Sequence, residues 1–306
     1  MTVNQSIQDI QAILLGSPSA SIGKFGTLDT IEINSPKCSA SVCLYGAHVI
    51  RFKPAKDGIE RLWTSANSYQ DGSRAIRGGI PICWPWFAGK LPASVAEYGQ
   101  RHQQALPSHG YARTQLWHLD SLTENETAVS IVLSPTQLGL YGYSTLVTAR
   151  LIITLSDSCK INLVTENNNQ HSIDIGGALH TYFAISDIAN VNVTGLENPY
   201  VDKTRDDQVM SSPLPYAITE ELDRVHLKES VSQVHRVTVV DNGLEYKIEN
   251  QGNNATVVWN PWIDKAKSLI DMHDHEYKKM LCIESAIVEP IELLARQSHS
   301  LKQTIS

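Results

Sequence analysis

Residues 3 to 14 place Val3, Ile7, Ile10 and Leu14 three or four positions apart, the spacing that lines one face of an α-helix. The pattern predicts one short amphipathic helix, serving as an end-cap packed on the fold or as a lid over a site. Beyond it the period changes to two. Val147, Ala149, Leu151, Ile153 and Leu155 alternate with mostly polar neighbours, as a strand with one buried face requires. Similar β-rich runs recur at residues 42–52, 128–133, 161–165, 237–240, 256–259 and 300–305. Turn chemistry punctuates them at Asp57-Gly58, Asp71-Gly72, Asn242-Gly243 and Gln251-Gly252-Asn253-Asn254.

No linker rich in Pro, Gly or Ser divides the chain, and no internal repeat is visible. Strands fill both halves without the regular helix alternation that signals a parallel sheet. The pattern predicts an all-β fold: one large antiparallel β-sandwich domain over residues 1–306, with residues 1–20 as a helical extension. A chain of 306 residues can bury a large core.

Composition narrows the function classes. The 25 Lys and Arg against 32 Asp and Glu leave a net charge of −7. A non-specific nucleic-acid binder needs a positive field to displace counterions, so that class is excluded. The five cysteines are scattered, odd in number and form no C-x-x-C pair, which argues against a disulfide framework or a zinc ribbon. No basic residue precedes Lys24, Asp9 interrupts any apolar run there, and no stretch approaches the roughly 18 apolar residues of a membrane span. The expectation is a cytoplasmic monomer with neither membrane nor nucleic-acid partner.

Four stretches crowd polar, ionisable and aromatic residues together. In residues 74–87, Gly78 and Gly79 allow close backbone approach, Trp84 and Trp86 offer flat walls for a sugar, and Arg77 can reach an anion, with Arg74 nearby. The same aromatics would equally serve a core. In Ser108-His109-Gly110-Tyr111-Ala112-Arg113 an extended backbone would put His109, Tyr111 and Arg113 on one face. His180 lies in an apolar and aromatic stretch, where burial lowers a histidine pKa and a neighbouring carboxylate raises it; a hydrogen-bonded core histidine is the plainer alternative. Glu284 interrupts a hydrophobic strand just after Cys282 and Ile283, and a buried glutamate with a raised pKa is a standard general base. An edge-strand carboxylate facing water would give the same pattern. His273-Asp274-His275 sits in a charged run that reads as a solvated loop more readily than as zinc ligands. Ser144 and Ser285 lack the elbow motif of a serine hydrolase, and no phosphate-cradling or dinucleotide glycine pattern is present.

Arg-Gly-Gly-Ile-Pro, His-Gly-Tyr-Ala-Arg, Leu-His-Thr-Tyr-Phe, Val-Val-Trp-Asn-Pro-Trp and Cys-Ile-Glu follow one another here in the order typical of the hexose-6-phosphate mutarotases. The chain resembles that glucose-6-phosphate 1-epimerase branch of the aldose 1-epimerase superfamily from about Gly72 onward. The resemblance implies a galactose-mutarotase-type β-sandwich acting on a sugar phosphate without metal or cofactor. It implies His180 and Glu284 as the catalytic pair, and Arg77 and Arg113 as substrate anchors. It also places Asp202 on a sugar hydroxyl. His109 joins the expected substrate contacts. Ser108 and Ser285 depart from the family pattern, which often has Gln and Pro there. In the reaction so implied, Glu284 as carboxylate takes the anomeric proton and protonated His180 gives one to the ring oxygen. A mutarotase for free hexoses, or a non-catalytic sugar-binding module on the same fold, are the competing readings.

Overall fold

A computed structural model describes residues 5–228 and 230–306. Its first element is the helix Ile7–Leu14, opened by a capping box: Ser6 Oγ accepts from the Asp9 N–H while the Asp9 carboxylate accepts from the Ser6 N–H. Ile10 and Leu14 are its buried residues; Val3 lies outside the described residues. The helix packs on the strands Trp117–Glu124 and Ala20–Phe25, each the edge of its sheet, so it is an end-cap across two edges and not a lid.

Among the described residues the chain forms three antiparallel sheets, of four, eight and nine strands. The nine-stranded sheet is the scaffold. At its centre Val147–Leu155 pairs with Cys159–Asn167 over its whole length, and Cys159–Asn167 pairs in turn with Ser298–Ile305. The predicted alternation is plain here, with Val147, Ala149, Leu151, Ile153 and Leu155 all buried and their neighbours partly exposed. Asn242-Gly243 closes the hairpin between His235–Asp241 and Leu244–Gln251, both residues at positive φ, 49° and 84°, as the right-handed strand twist favours.

The eight-stranded sheet runs from Gln208–Met210 through Tyr200–Asp202, Leu222–Leu227, Ala255–Asn260, Met280–Leu293 and Ile173–Leu179 to Ile82–Cys83, with Tyr182–Ala184 also paired to Met280–Leu293. Its central strand has nine consecutive buried residues from Met280, so both of its faces are covered. One face meets the scaffold. There Gln303 donates to the Ile283 carbonyl at 3.1 Å and accepts from Thr181 Oγ1, joining the two sheets.

Three expectations are corrected. The run at residues 42–52 is two strands, Cys38–Cys43 and His48–Pro54, parted by Gly46 and Ala47 at φ 78° and 49°. Gln251 to Asn254 is not a hairpin turn; it carries the chain from the scaffold sheet to Ala255–Asn260 in the other. Two further helices, Ala93–His102 and Trp262–Ser268, are present. Among the described residues no helix is long and apolar enough to cross a membrane.

Candidate active site

Register decides which side chains meet. In the eight-stranded sheet Asp223, Trp259, Cys282 and Tyr182 are successive cross-strand partners, and Val201, Val225, Val257 and Glu284 form the neighbouring row. Cross-strand partners share a face, and positions two apart on one strand share it too. Both rows therefore point away from the scaffold, and Glu284 and Cys282 stand side by side on this outer face. His180 follows the end of Ile173–Leu179, where its N–H donates to the Pro81 carbonyl at 3.1 Å. Its Nδ1 lies 3.4 Å from Glu284 Oε1. The imidazole stacks on Tyr182 at 4.9 Å and 8° between planes, and meets Trp259 edge-on at 6.2 Å.

The segment bearing His109 is not extended. His109 and Gly110 take φ of 65° and 69°, and Ala112–Thr114 is a single 3-10 turn. A Cβ on Gly110 would lie 2.0 Å from the Trp84 carbonyl oxygen, so only glycine fits. The three side chains consequently diverge. His109 turns to His180, with ring centres 5.8 Å apart. Tyr111 enters the core between Trp84 and Trp86. Arg113 stays half-buried, its Nη2 making a long 3.4 Å contact with the Ser108 carbonyl. Its charge acts on His109, His180 and Glu284 alike.

Trp84 and Trp86 are core residues, their indole N–H groups donating to Thr165 Oγ1 and the Pro107 carbonyl. The flat walls beside the pair are Tyr182 and Trp259 instead. Arg77 does reach the site, but its guanidinium is engaged: Nε donates to Asp271 Oδ2 at 3.1 Å and Nη1 to the Tyr182 hydroxyl at 3.0 Å. Arg74 stacks on Tyr69.

The structure does not bring Asp202 to the pair. It partners Arg224, in the row of Val258 and Ile283, which faces the scaffold. Its carboxylate accepts from the Thr204 N–H and hydroxyl at 2.9 and 2.6 Å. Asp223 is the aspartate on the outer face, and its charge reaches Glu284. A carboxylate inside the apolar strand Leu222–Leu227 is the same signal that marked Glu284, and sequence reading missed it there. Asp271, Tyr182 and Trp259 went unmarked because aromatic and loop positions carry no such signal.

Burial sets the electrostatics. Glu284 is 1% exposed and His180 8%. Burial pushes the Glu284 carboxyl well above its usual range; the Asp223 charge adds to this and Arg113 opposes it. Burial likewise holds His180 well below its ordinary value, assisted by His109, Arg113 and Arg77. His109 is pushed down to about 3, by burial first and then by the two arginines. The resting pair is thus a carboxylic acid beside a neutral imidazole, the reverse of the expected charge state. It still comprises one proton donor and one acceptor. Both His180 Nδ1 and Glu284 Oε2 are buried without a hydrogen-bond partner, which a purely structural core would rarely tolerate.

The family model described as Aldose 1-epimerase matches residues 29–306. The chain belongs to the aldose 1-epimerase family. The match takes in the four-stranded sheet, which the motifs beginning near Gly72 did not reach. A protein of Escherichia coli K12 provisionally named glucose-6-phosphate 1-epimerase is 32% identical over 291 residues, covering 92% of this chain and 90% of its own. The crystal structure of a provisionally named mutarotase from Salmonella typhimurium superposes with a TM-score of 0.82 at 30% identity, covering 98% of each chain. A galactose mutarotase-like protein from Clostridium acetobutylicum shares the fold at a TM-score of 0.71 and 12% identity, covering 94% of this chain and 98% of its own. In this aldose epimerase the chemistry is therefore that of an isomerase. His180 and Glu284 stand together on the outer sheet face with Arg113, Arg77 and His109 around them, while Asp202 stands apart.

Proposed function

We propose that the enzyme interconverts the α and β anomers of a hexose 6-phosphate, D-glucose 6-phosphate foremost, by acid–base ring opening and closure. The observation that carries this reading is the buried, hydrogen-bond-starved His180–Glu284 pair lying beneath two arginines. The names of the E. coli and S. typhimurium relatives support the phosphorylated substrate.

A phosphate dianion held by Arg77 and Arg113 cancels the positive field that depresses His180, and sugar hydroxyls donating to Glu284 favour its carboxylate. Both effects move the pair's proton from Glu284 to His180. Glu284 then takes the proton of the anomeric hydroxyl as that oxygen becomes the aldehyde. The bond from the anomeric carbon to the ring oxygen breaks, and its electron pair stays on that oxygen, which takes the proton of His180. The aldehyde rotates by about a half turn. The freed hydroxyl attacks its other face, returning a proton to His180, while Glu284 reprotonates the anomeric oxygen. The pair ends as it began. Each positioned acid or base contributes about 10²- to 10⁴-fold.

Charge-assisted hydrogen bonds are worth about 1.5–3 kcal/mol each. Arg113→Ala and Arg77→Ala should therefore each lower the ratio of kcat/KM for glucose 6-phosphate over glucose by about 10- to 100-fold, measured by NMR saturation transfer between anomers. A ratio unchanged in both variants overturns the phosphate reading. One observation favours the rival, a mutarotase for free hexoses: Arg77 is already held by Asp271 and Tyr182. That reading predicts a wild-type ratio near or below unity.

A further inference from the structure

The reaction has no task for a thiol, yet Cys282 stands beside both proton-transfer groups. Its Sγ, an imidazole nitrogen of His180 and a carboxylate oxygen of Glu284 lie within 4.8 Å of one another. All three residues are buried, at 0%, 8% and 1% exposure. Two of the donors come from positions two apart on the strand Met280–Leu293, and the third from the strand end beside it. We propose that His180, Cys282 and Glu284 form a binding site for a thiophilic divalent metal ion, zinc above all, that shuts the enzyme off by occupying its acid–base pair.

The donor chemistry carries this assignment. One thiolate, one imidazole and one carboxylate are the ligand types zinc takes, at about 2.3, 2.0–2.1 and 2.0–2.2 Å. Donors at those distances in a tetrahedron sit about 3–4 Å from each other, so the three need contract by only about 1 Å around an ion. Three protein ligands with a fourth position open toward the site is the arrangement of an accessible zinc centre, whereas structural zinc is closed by four. The two buried orphan atoms of the pair, His180 Nδ1 and Glu284 Oε2, gain a partner when the ion binds. A hard ion such as magnesium prefers oxygen donors and octahedral geometry, so this set selects against it. His273 and His275, the histidines that looked most like ligands in the sequence, form no such group among the described residues.

Binding involves no redox change. The ion displaces the thiol proton and the carboxyl proton, and both leave to solvent. Metal and sugar then exclude each other, because each needs the same imidazole and carboxyl group.

Cobalt(II), titrated into the full-length protein without sugar, should give a thiolate-to-metal charge-transfer band and intense tetrahedral visible bands, both displaced by one equivalent of zinc. Cys282→Ala should lose the charge-transfer band, turn over the sugar at the wild-type rate without metal, and resist zinc inhibition at least tenfold better. Absence of the band in the wild type, or equal zinc inhibition of wild type and Cys282→Ala, overturns the proposal and leaves Cys282 a small packed hydrophobe. Should Cys282→Ala fail to fold, X-ray absorption at the zinc edge decides on the wild type alone. One sulfur at about 2.3 Å supports the site, and a shell of nitrogen and oxygen only overturns it. These spectra need no turnover, so they stand or fall separately from the assignment of hexose 6-phosphate as substrate.

Discussion

The two large sheets treat buried polarity differently. In the scaffold sheet one face is dry and the other wet. Along Val147–Leu155 every second residue is buried, and the charges lie on the wet face, where Arg150 pairs with Glu166. In the eight-stranded sheet both faces are dry around Met280 to Val288, and polar groups occur on each. On the face toward the scaffold they are paired: Thr181 donates to Gln303, Gln303 to the Ile283 carbonyl, and Ser285 Oγ to the Lys302 carbonyl. One residue along, on the outer face, His180 and Glu284 are as deeply buried and are left with unpaired atoms. Polar groups one residue apart on the same strands thus have opposite fates, and the difference separates packing from chemistry. Buried polarity that folding needs is satisfied within the fold, whereas polarity kept for a substrate waits for it.

The largest test of that contrast is Glu284→Gln. It keeps the shape and the hydrogen-bonding capacity but cannot take up the anomeric proton. The anomer-exchange rate should fall by about 10²- to 10⁴-fold, while thermal unfolding shifts little or upward because a group costly to ionise is gone. Exchange at the wild-type rate would remove Glu284 from the mechanism. A large drop in stability would place it with Thr181 and Ser285, as part of the packing.

How much of this the sequence discloses follows from the same contrast. The scaffold strands are legible because one wet face leaves a period of two, as in Val147–Leu155, and the Asn242-Gly243 hairpin declares itself through its turn residues. His180 and Glu284 are legible because an ionisable residue in an apolar run is costly unless it is paired or used. What stays hidden is set by register and by local backbone. Asp202 and Asp223 are each an aspartate near hydrophobic strand residues, and only the pairing of Asp202 with Arg224 shows which face each takes; a shift of one residue reverses it. His109, Tyr111 and Arg113 share a face only in an extended chain, and two left-handed residues abolish that. The break at Gly46 and Ala47 lies inside an apolar run, and the helix Ala93–His102 buries only Val95, so neither leaves a periodic trace.

A second test reads the pair through pH. The Glu284 pKa is raised by folding from 4.5, so the folded state holds a proton that the unfolded chain has released. That contribution to stability is complete below pH 4.5 and is lost as pH rises toward the folded pKa. The His180 pKa is lowered from 6.5, so its contribution is complete above 6.5 and is lost as pH falls below it. Between these values the two slopes oppose each other, and above 6.5 only the glutamate slope remains, at up to about 1.4 kcal/mol per pH unit. The stability of Glu284→Gln relative to wild type, from denaturant unfolding, should therefore grow steadily between about pH 5 and 8. A difference that does not change with pH would mean that Glu284 ionises in the folded protein as it does in water, and its burial would have no electrostatic consequence.

The smallest expected effect lies on the other side of the same strand end. Thr181→Val replaces the residue next to His180 with one of equal shape and removes the hydroxyl that donates to Gln303. Gln303 keeps its two donated bonds, to Asn250 Oδ1 and the Ile283 carbonyl, and loses one accepted bond. Unfolding should become easier by about 1–3 kcal/mol, the cost of a buried acceptor left unsatisfied. The exchange rate at a temperature well below unfolding should stay within about twofold of wild type, since Thr181 points toward the scaffold and His180 keeps its backbone bond to Pro81. The measurement that decides is the pair of values together. A loss of rate larger than the loss of stability would show that the packed face positions His180 through its neighbour, and the division between the two faces would then describe pairing alone and not function.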